Sequence, residues 1–178
     1  MKGVLFNAVE EAVTREWGEE MWDDLLVSSG LEGAYTVLGN YPDAELVALA
    51  DSAADRLNTS VDDVLRTLGR LTFKPLMTRY TSSVEVPTSL REFLPNVNDV
   101  IHPQVLKLYP GASVPRFALR ENGDDLELDY LSVRRMCTLA EGLVLGAADH
   151  YGENVVVDQP CCKHRGDSRC TIRIRGAS

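Results

Sequence analysis

The sequence predicts an α+β domain in which an N-terminal helical part is followed by a mixed part with an antiparallel sheet. Up to Pro115, apolar residues recur at the three- and four-residue spacing of amphipathic helices. Beyond Pro115, apolar and polar residues alternate along short segments, which is typical of half-buried strands, and one further helix separates these segments. The length of 178 residues suits a single domain with a core.

Three helices are predicted in the first third of the chain, at residues 2–17, 19–29 and 43–57. A fourth helix begins after Ser60, which together with Asp63 resembles a capping box. It runs to about Tyr80, and Pro75 is expected to bend or interrupt it because proline has no amide hydrogen to donate. The polar residues 81–88 are predicted to form a loop.

The next helix carries a histidine in apolar surroundings. Ile101, Val105 and Leu108 follow one another at helical spacing, and Pro110-Gly111 ends the helix. His102 lies beside this apolar stripe. One interpretation is a core histidine whose ring bonds a backbone carbonyl, and the other is an imidazole that binds a metal inside an apolar pocket.

The remaining elements are short strands around a helix at residues 137–151. Strands are predicted at residues 116–120, 125–130, 155–157 and 170–175. Between the first two strands, the Asn122-Gly123 pair is expected to supply the positive φ angles of a hairpin turn.

Three polar residues follow the second strand with a period of two. Alternation would place Tyr130, Ser132 and Arg134 on the same side of the chain. Two hydroxyl groups and a guanidinium group can hold a carboxylate, since arginine binds carboxylates through two parallel hydrogen bonds. A polar edge facing solvent is the alternative interpretation.

The charge and the cysteines bound the possible functions. A net charge of −9 argues against nucleic acid as a partner, because phosphate binding requires a basic surface. We expect no membrane segment and no signal peptide, hence a cytoplasmic protein, because the apolar runs are short and Asn7 and Glu10 interrupt the N-terminal one. In a reducing compartment, cysteines clustered in the last quarter of the chain favour metal or redox chemistry over disulfides. These are Cys137, Cys161, Cys162 and Cys170.

His102 and the Tyr130-x-Ser132-x-Arg134 motif together resemble the haem nitric oxide/oxygen binding (H-NOX) family, stand-alone bacterial type. Pro115 downstream of the histidine fits the same pattern, and the resemblance covers essentially the whole chain. Further similar segments are Met1-Lys2-Gly3, Asp99–His102, Leu108–Ala112, Leu139–Leu143 and Gly166–Cys170.

The resemblance implies a haem b group buried between two parts of one domain, residues 1–178. A distal helical subdomain would cover about residues 1–60, and a proximal subdomain about 61–178. His102 would bind the haem iron through its neutral imidazole, and Pro115 would press on the macrocycle. Tyr130, Ser132 and Arg134 would hold the propionates.

The resemblance also bears on which gas is bound. Oxygen-binding members have a tyrosine on the last long helix, and the matching residue here is Leu139. Because bound oxygen gains more than nitric oxide from a hydrogen-bond donor, an apolar distal pocket is expected to favour nitric oxide, with carbon monoxide as a further ligand. Thr72 is the nearest polar side chain. The other residues expected near Leu139 are Leu5, Val9, Leu76 and Leu143.

The implied function is a gas sensor without catalytic activity. Nitric oxide would break the bond between His102 and iron, and a separate histidine kinase or cyclic-di-GMP enzyme would respond. Some family members hold zinc with cysteines that match Cys137, Cys162 and Cys170; here the fourth ligand is either His164 or Cys161. The alternative function is a thiol or zinc redox sensor that uses all four cysteines.

Overall fold

The computed structural model describes residues 1–79 and 87–176, and it begins with four helices. They are α1 (Gly3–Trp17), α2 (Glu19–Ser29), α3 (Asp43–Leu57) and α4 (Val61–Thr78). The side chain of Ser60 caps α4 by accepting the Asp63 amide at 3.1 Å, which confirms the predicted cap. Pro75 lies inside α4 without interrupting it, so the expected interruption was wrong. Tyr80 and residues 81–86 of the predicted loop lie outside the described residues.

The histidine-bearing segment is built differently from the single helix that was predicted. It consists of α5 (Leu90–Asn96), a π-helical turn (Val97–Ile101) and α6 (His102–Leu108). Pro103 explains the π turn, because it donates no amide hydrogen and its ring would clash with the carbonyl of Asp99 in a regular α-helix. His102 therefore starts a new helix directly after a widened turn.

The sheet has four antiparallel strands in the order β1-β2-β4-β3. These are β1 (Arg116–Asn122), β2 (Asp125–Leu131), β3 (Val155–Cys161) and β4 (Cys170–Gly176), with α7 (Cys137–Tyr151) between β2 and β3. Asn122 pairs with Asp125, so the turn consists of Gly123 and Asp124, and the positive φ of 65° falls on Gly123. The expectation that Asn122 also contributes a positive φ was wrong.

Helices α4 and α7 cross with their backbones in contact. A Cβ atom added at Gly142 would lie 2.0 Å from the carbonyl oxygen of Arg66, and one added at Gly69 would lie 2.3 Å from that of Leu139. This approach fixes the inner faces of α4 and α7 relative to each other.

No helix among residues 1–79 and 87–176 combines the length and apolarity that a bilayer span requires.

Candidate functional site

A cavity of about 260 Å³ lies between the long helices and the histidine-bearing segment. Its wall is largely apolar, as in most small-molecule sites. Polar side chains reach it at Lys2, His102, Ser113, Tyr130 and Arg134. The cavity brings together eight of the ten residues expected at the site: Leu5, Leu76, His102, Pro115, Tyr130, Arg134, Leu139 and Leu143.

His102 lines this cavity and is partly buried. Its Nδ1 is buried and has no hydrogen-bond partner among the described residues, whereas buried polar atoms are normally paired. Burial lowers the pKa of the imidazole, and the nearby Pro115 carbonyl opposes this only in part. The ring is therefore neutral near pH 7, which is the form that binds a metal.

Asn98, which the sequence analysis did not select, positions the histidine relative to the sheet. Its side chain in the π turn donates to the Phe117 carbonyl at 2.6 Å and accepts the Phe117 amide at 3.1 Å. The Phe117 ring in turn lies nearly parallel to the His102 ring, with 6.1 Å between the ring centroids. No distinct signal in the sequence marks Asn98, because Asn96, Asp99 and Gln104 on the same segment are polar as well.

The expected anion clamp is only partly assembled. Strand β2 ends at Leu131, so the predicted alternation does not continue to Arg134. Tyr130 and Arg134 both line the cavity, but Ser132 does not, and its hydroxyl accepts the Arg134 amide at 3.2 Å. The Arg134 guanidinium lies 3.1 Å from the carboxylate of Asp43, at the start of α3. Burial raises the pKa of Tyr130, so its hydroxyl keeps its proton and can donate.

The wall formed by α1, α4 and α7 is entirely apolar where the described residues line the cavity. It consists of Val4, Leu5, Phe73, Leu76, Met77, Leu139, Ala140, Leu143 and Val144. Two expectations need correction here. Val9 lies one turn further along α1 and lines a second cavity of about 110 Å³. Thr72 is fully buried outside the main cavity, and its hydroxyl donates to the Gly69 carbonyl at 3.2 Å.

Lys2 is the second polar residue that the sequence analysis did not assign to the site. It is buried and lines the cavity beside α1. Its ammonium group donates to the carbonyls of Leu38 and Pro110, each at 2.8 Å. In the sequence, only the place of Lys2 in the Met1-Lys2-Gly3 motif pointed to a role at the site.

A separate cluster contains three buried cysteines. The sulfur atoms of Cys137, Cys162 and Cys170 all lie within 4.8 Å of one another. Sγ of Cys162 is 3.7 Å from that of Cys137 and 4.0 Å from that of Cys170. Burial and the neighbouring thiols raise the pKa of Cys137, so without a cation this thiol stays protonated.

Both residues considered for a fourth ligand lie outside this cluster. Cys161 is less buried than the three clustered cysteines and is not part of the group. His164 is exposed, and its Nε2 lies 2.7 Å from the Arg135 carbonyl oxygen. The structure therefore brings the three sulfur atoms together but leaves both candidates for the fourth ligand outside the cluster.

Known proteins share both the sequence pattern and the fold. The Haem-NO-binding family model matches residues 2–159. An H-NOX protein from S. oneidensis, solved in the Fe(II)NO ligation state, is 31% identical over 100% of both chains, with a TM-score of 0.90. The Shewanella oneidensis H-NOX domain in the Fe(II)CO state is 31% identical over 100% of this chain and 99% of that one, with a TM-score of 0.87. The unliganded Fe(II) H-NOX protein from K. algicida is 27% identical over 100% and 97%, with a TM-score of 0.83.

Proposed function

The chain belongs to the Haem-NO-binding (H-NOX) family, whose members are haem-based gas sensors rather than enzymes, and from this membership we propose that it senses nitric oxide through haem b held by His102. One observation carries the proposal: His102, which has an unpaired ring nitrogen, lines a cavity whose helical wall is apolar. Ferrous haem would supply an iron atom that His102 would hold and that binds a diatomic gas.

The residues present fit such a group. An apolar cavity favours burial of a macrocycle, and the neutral imidazole can donate its lone pair to a metal. Arg134 and Tyr130 supply a cation and a hydroxyl donor for carboxylates at the same cavity. Ser132 supports Arg134 through its backbone amide rather than from the cavity wall. Pro115 lies on the wall beside His102, where it limits the space for a flat ring.

The apolar helical wall supports selectivity for nitric oxide and carbon monoxide over oxygen. Leu139 offers no hydrogen-bond donor, and the Thr72 hydroxyl is occupied outside the cavity. The structures of S. oneidensis H-NOX proteins include Fe(II)NO and Fe(II)CO ligation states. Bound oxygen, which is stabilised by a donated hydrogen bond, would therefore receive none from Leu139 or Thr72.

For signalling, we propose that release of His102 frees α6 to shift relative to the helical part of the chain. Residues of about 1–60 would act as a distal subdomain and those of about 61–178 as a proximal one. Leu106 and Leu108 of α6 are exposed, so a shift of this end of the helix would not remove these two side chains from the core. A histidine kinase or a cyclic-di-GMP enzyme would respond to the altered surface.

Absorption spectra of the purified ferrous protein test the proposal. We expect spectral changes with nitric oxide and with carbon monoxide, and no persistent oxygen complex in air-equilibrated buffer. Leu139→Tyr is the matched variant, because it adds one hydroxyl donor to the apolar wall. A stable oxygen complex in the unmodified protein would contradict the selectivity, and failure to take up haem would contradict the function itself.

The cysteine cluster supports a second proposal, a zinc ion held by Cys137, Cys162 and Cys170. Sulfur atoms that bind one tetrahedral zinc ion at about 2.3 Å lie about 3.8 Å apart. The separations of 3.7 and 4.0 Å agree with this spacing. The amide of Lys163 donates to the Cys170 sulfur at 3.3 Å and would favour a thiolate there. His164 or Cys161 would have to move to complete the site.

Elemental analysis of protein purified under reducing conditions tests this site. We expect about one zinc ion per chain, and Cys170→Ala should lower the zinc content while leaving the haem spectra unchanged, since Cys170 does not line the cavity. Cys161→Ala, made separately, tests whether Cys161 supplies the fourth ligand, because the zinc content would then fall as well. Absence of zinc in the unmodified protein would contradict the proposal.

The family match does not favour a thiol redox switch as the main function.

A further inference from the structure

Lys2 is a buried cation whose hydrogen bonds go to main-chain carbonyls. Its exposed fraction is only 7%, and lysine side chains this buried are usually paired with a carboxylate. Within the described ranges, Lys2 has no carboxylate oxygen within 4 Å, and its two acceptors are the carbonyls of Leu38 and Pro110, each at 2.8 Å. Burying an ammonium group costs free energy, and hydrogen bonds to the carbonyls of Leu38 and Pro110 offset that cost only while both lie within reach of Lys2.

The two acceptors belong to different parts of the molecule. The start of α1 is fixed to the loop before Asn40 by main-chain bonds, Gly3 amide to Gly39 carbonyl at 3.0 Å and Val4 amide to Val37 carbonyl at 3.2 Å. Leu38 lies in that same loop. Pro110 lies on the other side, two residues after the end of α6. The Lys2 side chain therefore connects the helical part of the chain to the segment that carries His102.

Few other polar contacts make this connection. Between residues 1–60 and 97–176 as described, the side-chain hydrogen bonds and ion pairs are those of Lys2 with Pro110 and of Asp43 with Arg134. α6 itself contains no buried residue, and its Leu106 and Leu108 are 49% and 59% exposed. Directly after α6, Tyr109 is buried, and the Lys2 bond to Pro110 is the polar contact that joins this end to the start of α1.

We infer that Lys2 is a positioning residue that anchors the C-terminal end of α6 to the helical part and so controls how readily a released His102 binds iron again. This inference rests on the proposed haem-sensor function. A tether keeps the imidazole close to the iron and raises its effective concentration there. Loss of the Lys2 bond lets α6 move away, and the released state of His102 becomes more populated.

Two substitutions of Lys2 test the inference in the haem-loaded ferrous protein. Lys2→Met keeps the aliphatic stem and removes the ammonium group, whereas Lys2→Arg keeps a cationic donor. The electron paramagnetic resonance spectrum of the nitric oxide complex separates iron that retains the histidine from iron that has lost it. For Lys2→Met we expect the ratio of released to bound His102 to rise about tenfold, at the low end of the range for a hydrogen bond to a charged group. Lys2→Arg should stay close to the unmodified protein.

Hydrogen exchange of the backbone amides supplies a readout that does not depend on gas binding. In Lys2→Met, amides of residues 102–110 should exchange faster, while those of residues 139–147 in α7 should keep their protection. If the unmodified protein takes up no haem, the sensor proposal fails, and the exchange data still decide whether Lys2 anchors α6. Unchanged exchange at 102–110 would overturn the anchoring role. Faster exchange with an unchanged ratio of released to bound His102 would overturn the coupling role. If Lys2→Met does not fold, Lys2→Gln replaces it in both measurements.

Discussion

The two walls of the cavity are held together in different ways. On the α4–α7 side, glycines bring two long helices into backbone contact, and most residues of α7 are buried. On the His102 side, the residues of the π turn and α6 are half-buried or exposed, Val97 and Ile101 contact the core, and polar contacts of Lys2 and Asn98 add to this packing. A close-packed wall keeps its shape, whereas a lightly packed segment can move. The difference suits a sensor in which one wall selects the gas and the other reports its binding.

Adding a methyl group between the packed helices tests the rigid wall. Gly142→Ala would place Cβ 2.0 Å from the Arg66 carbonyl oxygen, so the helices must separate. We expect the free energy of unfolding to fall by about 2–3 kcal/mol, as is typical of overpacking. Urea denaturation measures this loss. Gly176→Ala is the control, because among the described residues no atom beyond its chain neighbours lies within 4 Å of its added Cβ. Equal effects of the two substitutions would mean that the close approach does not hold this wall.

Removing the Asn98 side chain tests the lightly packed wall. Asn98→Ala deletes both bonds to the Phe117 backbone, and we expect a loss of about 1–2 kcal/mol of stability. Urea denaturation should show this loss, with faster hydrogen exchange in residues 97–108. Asn96→Ala is the matched control, because no hydrogen bond of the Asn96 side chain occurs among the described residues. If Asn98→Ala left hydrogen exchange unchanged, contacts other than those of Asn98 would keep the His102 segment in place.

Sequence reasoning located the site better than it located the contacts that hold it. His102, Pro115, Tyr130 and Arg134 carry a motif, and all four line the cavity. Helical periodicity identifies a face but not how far a cavity extends along it, and Leu5 lines the main cavity whereas Val9 lines the second one.

Other features left no periodic pattern to detect. The π turn results from a clash specific to Pro103. The bonds of Lys2 and Asn98 go to carbonyls and an amide that are remote in sequence, and such acceptors exist at every residue. Adjacent residues on a strand end face opposite ways, so spacing could not show that Cys162 rather than Cys161 joins the cluster.

The smallest expected effect is a loss of stability at acidic pH. Because burial lowers the pKa of His102 below its ordinary value of 6.5, the folded protein binds a proton there less readily than the unfolded chain does. Neutral His102 thus contributes stability that is complete above pH 6.5 and is lost as the pH falls through the lowered pKa. The ferrous absorption spectrum should accordingly persist below pH 6.5. Loss of histidine ligation at or above that pH would indicate a solvated ring.

The most direct test of the account is His102→Gly in the ferrous protein, with and without added imidazole. Haem should still enter the cavity, because its apolar wall and the Arg134 side chain remain. Imidazole should restore the spectrum of the unmodified protein. Without imidazole, the variant should act on the partner protein as the nitric-oxide-bound form does. If it instead acted as the unliganded protein does, release of His102 would not be the signal.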